Sequence, residues 1–271
     1  MNNKPIGVFD SGIGGIMVLN QLVKKMPYEK YVYLGDNKHF PYGEKTKEEI
    51  IEYTRQNIKI LLKNNVKMII IACGTATSQA LDIVKNEFDI PIIGIIEPTV
   101  KYVADLKLDK IGIMATTGTI RSGAWEKKMK LKIPKINVYN LACPILASLA
   151  ENDIINSKKG KDAIHNYMEF FKDNGVNNIV LGCTHYPIYE KIIKEEFDYK
   201  VELINTGIMV AQYLKKYLNE NRMNGTNKTK EDKIYLTKPE KEFKEIAKNI
   251  MKVNIDINEI KTSESIDLST I

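Results

Sequence analysis

The sequence predicts an α/β protein of two pseudo-symmetric lobes, each a mostly parallel sheet flanked by helices, with an active site in the cleft between them. The first observation is that two apolar, strand-like runs, 66–72 and 176–182, each end in a small residue and a cysteine with a threonine close behind. In open parallel sheets, ligands bind outside the carboxyl ends of the strands. The two cysteines, Cys73 and Cys183, are therefore expected on opposite walls of one cleft.

The second observation is that the spacing recurs along the chain. The cysteines are 110 positions apart, and three other strand-like segments repeat in the same order at offsets of 105, 106 and 109. Buried strands are all rich in Val and Ile, so a single match is weak evidence. The shared order and offset indicate a duplicated α/β unit.

Composition narrows the class of protein. The chain has 271 residues, 44% of them hydrophobic and 27% charged, which suits two globular lobes. Its net charge of +6 is spread over lysines mixed with acids, and no aromatic-studded basic stripe accompanies them, so we predict no nucleic-acid partner. Three cysteines, no apolar run of membrane-spanning length and no signal peptide predict a cytoplasmic protein without a disulfide framework.

The first lobe is predicted to span residues 1–97. Its first strand leads into the glycine-rich turn 10–15, where backbone N–H groups are free for an anion and Asp10 and Ser11 could serve equally well as helix caps. The turn lacks the third glycine of a dinucleotide fingerprint. The predicted elements are strands at 6–9, 31–34, 66–72 and 90–96, and helices at 16–25, 47–64 and 77–87.

The second lobe is predicted to span residues 98–207, with the segment from about 208 to 271 docking back on the first. Hydroxyls and a glycine at 116–119 follow a strand in the same way as the turn at 10–15. Cys143 has no nearby base and is interpreted as a small buried hydrophobe. The predicted elements are strands at 111–115, 137–140, 176–182, 201–204 and 234–236, and helices at 161–173, 187–196, 208–219 and 240–251.

A pair of cysteines could form a redox couple, a metal site or two separate bases. A redox couple usually shows C-x-x-C, which is absent here. The run Cys183-Thr184-His185 alone supplies too few ligands for a metal. Two bases on opposite walls of a cleft suit a reaction in which one removes a proton and the other returns it on the opposite face of a carbon, which is racemisation.

The motifs that carry these residues resemble those of the cofactor-independent aspartate/glutamate racemase superfamily, in order and over nearly the whole chain. They are Asp10-Ser11-Gly12-Ile13-Gly14-Gly15, Pro41-Tyr42-Gly43, Ile71-Ala72-Cys73, Ile96-Glu97-Pro98, Thr119-Ile120-Arg121-Ser122-Gly123-Ala124, Ala142-Cys143-Pro144 and Gly182-Cys183-Thr184-His185-Tyr186-Pro187. The resemblance implies racemisation of glutamate without cofactor or metal, a homodimer, and a supply of D-glutamate for peptidoglycan.

The resemblance also implies roles for individual residues. Cys73 takes the α-proton from D-glutamate with the support of Asp10. Cys183 takes it from L-glutamate with the support of His185, which Glu151 assists. The substrate's ammonium and carboxylates are expected to contact Asp10, Ser11, Pro41, Tyr42, Gly43, Gly74, Thr75, Thr117, Thr184 and His185.

One position departs from the family pattern, because Gly74 stands where the family has asparagine in Cys-Asn-Thr. We expect water to replace the missing amide, so that Gly74→Asn keeps activity and tightens glutamate binding. The alternative is an aspartate or broader-specificity racemase that uses the room left at Gly74. A related decarboxylase needs only one thiol, and a non-catalytic binding protein has no use for two.

Overall fold

The structure is a computed structural model, and it describes residues 1–152, 154–226, 232–238, 241–251 and 260–262. In these ranges the strands are β1 (Ile6–Asp10), β2 (Tyr31–Gly35), β3 (Met68–Ile71), β4 (Ile92–Gly94), β5 (Lys110–Ala115), β6 (Asn137–Ala142), β7 (Asn178–Leu181), β8 (Glu202–Asn205), β9 (Lys233–Leu236) and β10 (Ile260–Thr262). The helices are α1 (Gly14–Lys25), α2 (Lys47–Leu62), α3 (Gly74–Gln79), α4 (Leu81–Val84), α5 (Ile96–Asp105), α6 (Thr117–Arg121), α7 (Ala124–Lys132), α8 (Pro144–Glu151), α9 (Lys158–Asp173), α10 (Glu190–Glu196), α11 (Thr206–Glu220) and α12 (Lys241–Met251).

The first lobe is built on a parallel sheet whose described strands lie in the order β10-β9-β2-β1-β3-β4. The register places Val8 of β1 between Tyr33 of β2 and Ile70 of β3. All three side chains are buried, as the continuous apolar runs predict for strands covered on both faces. Because the strands are parallel, the residues that follow β1 and β3 meet at one edge of the sheet.

The second lobe repeats this arrangement. Its described strands form a parallel sheet in the order β6-β5-β7-β8, which matches β2-β1-β3-β4 of the first lobe strand for strand. The register places Ile113 of β5 beside Val180 of β7. The predicted fold class, two pseudo-symmetric parallel α/β lobes, is confirmed.

The two lobes share an apolar core. Helix α1 packs on α11, and α5 packs on both α11 and α7. The core joins Leu19, Val100 and Leu214 from these helices to Val8 of the first sheet and Ile113 of the second. Packed side chains therefore connect the lobes, in addition to the chain that links them. In the described part of the chain, none of the helices is long and apolar enough to cross a membrane.

The C-terminal elements add to the first lobe. Strand β9 pairs with β2, and α12 packs against α1. A buried lysine, Lys67, holds the start of this segment, because its ammonium donates to Glu29 Oε2 and to the Met223 carbonyl, both at 2.6 Å. The predicted lobe boundaries at 97 and 207 stay predictions. The predicted connector at 220–232 lies partly outside the described residues.

Three predictions about the helices and strands are wrong. The strand predicted to reach Ile96 ends at Gly94, and Ile96 begins α5, where Pro98 fits because the first turn of a helix has no intrahelical partners for its N–H groups. The predicted elements also lack the helices at 96–105, 117–121, 124–132 and 144–151. The helix predicted at 77–87 is instead the pair α3 and α4, with a break at Ala80.

Candidate active site

A small cavity lies between the lobes at the carboxyl ends of β1, β3, β5 and β7. Its volume is about 30 Å³, which has room for about two water molecules and is smaller than an amino-acid dicarboxylate. Cys73 and Cys183 both line it, one from each lobe, as the repeat predicted. The other predicted site residues in its wall are Ser11, Pro41, Tyr42, Gly43, Gly74, Thr75, Thr117, Thr184 and His185.

Cys73 follows β3 and caps α3. The Ala76 N–H of that helix donates to its sulfur at 3.5 Å, and the thiol donates to Ser11 Oγ at 3.6 Å. Burial, reinforced by the negative charge of Asp10, raises the pKa of Cys73 to about 12. Cys73 is therefore a protonated thiol at neutral pH, placed to give a proton.

Cys183 has a different neighbour, an imidazole. Its sulfur lies 3.6 Å from His185 Nδ1, and His185 Nε2 lies 2.6 Å from Glu151 Oε1. Burial alone would lower the pKa of His185, but its hydrogen bonds to Cys183 and Glu151 outweigh burial and raise it well above its usual value. The His185 ring is therefore held between the Cys183 sulfur and the Glu151 carboxylate.

Glu151 joins the lobes behind the cavity. The oxygen that contacts His185 also accepts the Ile13 N–H of the first lobe at 2.8 Å. Gly12 makes this contact possible, because a Cβ there would overlap the Glu151 carboxylate. The carboxylate therefore orients His185 and depends on the turn at 10–15 for its own position.

Asp10 is fully buried and bonds across the lobes. Its carboxylate accepts the Gly12 N–H at 3.1 Å and the Thr184 hydroxyl at 3.2 Å. Burial raises the pKa of Asp10 to about 6, a rise that the charge of His185 limits. The resemblance implies that Asp10 supports Cys73 as a base, whereas in the structure the charge of Asp10 disfavours the Cys73 thiolate. Its hydrogen-bonded side-chain partner is Thr184, beside the other thiol.

Three hydroxyls connect the lobes on the opposite side of the cavity. Thr75 Oγ1 of the first lobe lies 2.9 Å from Thr116 Oγ1 and 3.2 Å from Thr119 Oγ1 of the second. Thr116 also lines the cavity beside the predicted Thr117. Sequence reasoning missed Thr116, whose hydroxyl also caps α6. The run of hydroxyls at 116–119 was the available signal.

Tyr42 lines the cavity, and its hydroxyl bonds to Asp36 and Asn57. That hydroxyl donates to Asp36 Oδ2 at 2.5 Å and accepts from Asn57 Nδ2 at 3.0 Å. Burial would raise the pKa of Asp36, but hydrogen bonds from His39, Tyr42 and Thr237 lower it. Asp36 therefore holds the loop that carries Tyr42.

Gly74 packs against the opposite lobe. It is buried at the start of α3, and a Cβ there would lie far closer than 3.0 Å to the Gly182 carbonyl oxygen, so that something would have to shift. Its φ lies outside the left-handed region, so close approach explains the glycine and backbone conformation does not. An asparagine here would need the Gly182 backbone to shift, which the expectation of a water in place of the amide does not include. Gly74→Asn should therefore disturb the site.

Cys143 lies outside the cavity wall. It is fully buried, its thiol lies 3.7 Å from the Leu141 carbonyl oxygen, and burial raises its pKa well above the usual value. Across the described ranges, no group of three or more His, Cys, Asp or Glu side chains is arranged to hold a metal ion.

Comparison with known proteins places the chain among racemases. A sequence model of the family described as Asp/Glu/hydantoin racemase matches residues 16–214. The glutamate racemase of Lactococcus lactis subsp. lactis is 37% identical over 266 residues, which cover 96% of this chain and 98% of that protein.

Solved structures agree along nearly the whole chain. The glutamate racemase of Francisella tularensis, crystallised with D-glutamate, has a TM-score of 0.87 and 33% identity over 97% of both chains. Glutamate racemase isoform RacE1 of Bacillus anthracis has a TM-score of 0.90 and 28% identity over 97% of both chains.

Proposed function

The chain belongs to the Asp/Glu/hydantoin racemase family, and on that basis we propose that it interconverts L- and D-glutamate with Cys73 and Cys183 as its two bases. One observation carries the mechanism: the two thiols line a single cavity from opposite lobes, each with its own supporting groups. Proton removal on one face of the α-carbon and return on the other requires that arrangement.

The two thiols have different roles in the conversion of L- to D-glutamate. Cys183, which lies beside His185, is the base that removes the α-proton of L-glutamate. Its electron pair takes the proton, and the substrate becomes a carbanion at Cα. Cys73, whose raised pKa keeps it protonated, gives its proton to the opposite face and D-glutamate results. The reverse reaction uses the same two groups in exchanged roles.

We propose that substrate binding relies on hydroxyls and backbone N–H groups, because the described residues of the cavity wall include neither lysine nor arginine. Ser11, Thr75, Thr117 and Thr184 offer the hydroxyls. Because the cavity in this structure is small, we propose that the lobes open for the substrate to enter. Closure then excludes water from the carbanion.

We favour glutamate over aspartate or a broader substrate range, because the Gly182 carbonyl oxygen lies against Gly74 and leaves little room beside it. Relatives over nearly the full length of the chain are glutamate racemases. We therefore propose glutamate as the substrate and a supply of D-glutamate for peptidoglycan as the role, in a cytoplasmic homodimer that needs neither cofactor nor metal.

The reaction is tested by incubating each glutamate enantiomer with the enzyme in deuterated water. We expect loss of optical rotation from either side, with deuterium appearing at Cα of the product. Aspartate serves as the comparison substrate. Inversion without deuterium incorporation, or faster turnover of aspartate, would contradict the proposal.

The two bases are tested separately with Cys73→Ser and Cys183→Ser. The enantiomers have equal free energies, so kcat/KM for racemisation must change equally in both directions and cannot assign the bases. Loss of HCl from 3-chloroglutamate needs one base only, because the α-proton leaves to the thiolate while the electron pair expels chloride. We expect Cys183→Ser to lose elimination from the L-enantiomer and Cys73→Ser from the D-enantiomer. Retention of both eliminations by either variant would refute the assignment.

A further inference from the structure

The backbones that carry the two thiols touch each other. Gly74 follows Cys73 directly, and Gly182 precedes Cys183 directly. The Gly182 carbonyl oxygen lies against Gly74 so closely that a Cβ on Gly74 would overlap it. This contact joins one lobe to the other beside the cavity.

Both sides of the contact are anchored to their own sheets in equivalent ways. The N–H of Ala72 donates to the carbonyl of Phe9 at 2.9 Å, and the N–H of Gly182 donates to the carbonyl of Met114 at 2.8 Å. Phe9 belongs to β1 and Met114 to its counterpart β5. Neither backbone can give way alone without losing a sheet hydrogen bond, so an added Cβ would move the loops, or the lobes, apart.

We propose that Gly74 is a positioning residue that sets the distance between the two catalytic thiols. The missing side chain lets Gly74, next to Cys73, lie directly against Gly182, next to Cys183, which keeps the two walls that carry the thiols close together. The inference rests on the proposed two-base function. Gly74 touches neither reacting atom, and it acts through Cys73 and Cys183.

The test separates two-base from one-base chemistry in Gly74→Ala. A methyl at this position widens the gap between the two walls, and a misplacement of about 1 Å costs about 100-fold in rate, so we expect kcat/KM for racemisation to fall by about that factor. A substrate held against one wall still meets one thiol. Elimination of HCl from at least one enantiomer of 3-chloroglutamate should therefore stay within about fivefold of wild type.

A matched control is Gly112→Ala in β5. A Cβ there would lie 2.7 Å from the Phe171 ring, inside the second lobe and away from the cavity. Its melting temperature should fall, and its ratio of racemisation to elimination should equal that of wild type. An equal loss of both reactions in folded Gly74→Ala, or unchanged racemisation, would overturn the proposal.

If Gly74→Ala does not fold, Gly182→Ala tests the contact from the other side. Its methyl would lie 2.9 Å from the Met114 carbonyl oxygen and 3.2 Å from Ala115 Cβ, which moves the Gly182 backbone relative to Gly74. The ratio of racemisation to elimination should fall severalfold, and an unchanged ratio in the folded variant would refute the inference. Failure of the two single-cysteine variants to lose racemisation would instead refute the proposed function.

Discussion

Asp10→Asn should be more stable than wild type at neutral pH, and this difference should shrink as the pH falls. The variant should also be less active. Asparagine can still accept the Gly12 N–H through its Oδ1, and its amide can donate to Thr184 in place of the present bond. What changes is the charge. Asp10 is fully buried, and its ionised form is disfavoured there.

The magnitude follows from the pKa of Asp10, which rises from 3.8 to about 6. Each pKa unit corresponds to about 1.4 kcal/mol, so ionised Asp10 lowers the free energy of unfolding by about 3 kcal/mol relative to an unperturbed carboxyl. Between these two values the folded state binds more protons than the unfolded state. The contribution of Asp10 to stability is thus complete below pH 3.8 and is lost as the pH rises through about 6.

The assay is urea unfolding of wild type and Asp10→Asn at about pH 4 and about pH 7.5, where linkage predicts that the variant gains about 2 kcal/mol on wild type between the two. Asp36→Asn is the matched control. Asp36 is also buried, but its pKa is lowered below 3.8, so its contribution is lost only as the pH falls below about 4. Asp36→Asn should therefore show almost no change relative to wild type between the two pH values. A difference between Asp10→Asn and wild type that does not change with pH would refute the reasoning.

Three further substitutions test other parts of the structure. Cys143→Ala should leave kcat/KM within about twofold and lower the melting temperature slightly, because it removes a buried sulfur outside the cavity; a large loss of turnover in a folded variant would contradict this. Glu151→Gln removes the charge that holds His185 and should slow HCl elimination from 3-chloro-L-glutamate by about 10–100-fold, and more than from the D-enantiomer. Lys67→Ala leaves Glu29 buried without its cation and should lower the free energy of unfolding by about 3–5 kcal/mol, measured by urea unfolding. A loss below about 1 kcal/mol would show that the hydrogen bond from the Gly225 N–H is enough to stabilise the buried Glu29 carboxylate without Lys67.

Sequence reasoning reached the fold and the two thiols because both depend on local patterns. Buried parallel strands are continuous apolar runs, and functional side chains follow their carboxyl ends. The repeated offset then paired Cys73 with Cys183. The strand order shared by the two sheets agrees with that pairing.

The same local patterns could not predict the contacts between the lobes. Whether Asp10 reaches Cys73 or Thr184, and what lies opposite Gly74, depends on how two separately built sheets face each other. No pattern within either lobe encodes that relation. Thr116 was missed for a different reason, because a threonine at the start of a helix already has a sufficient explanation as a cap. Helix α5 was missed because Pro98 was interpreted as the end of a strand, whereas proline is also tolerated in the first turn of a helix.

The position of β9 has a consequence for the order in which the lobes are completed during synthesis. β9 lies beside β2, and Thr237, which follows it, donates to Asp36, the carboxylate that holds the Tyr42 loop. A nascent chain leaves the ribosome N-terminus first. The four described strands of the second sheet, β5 to β8, therefore emerge before β9 does. The lobe that is begun first is the last to be finished, and the loop that carries Tyr42 gains its final partner only when Thr237 emerges.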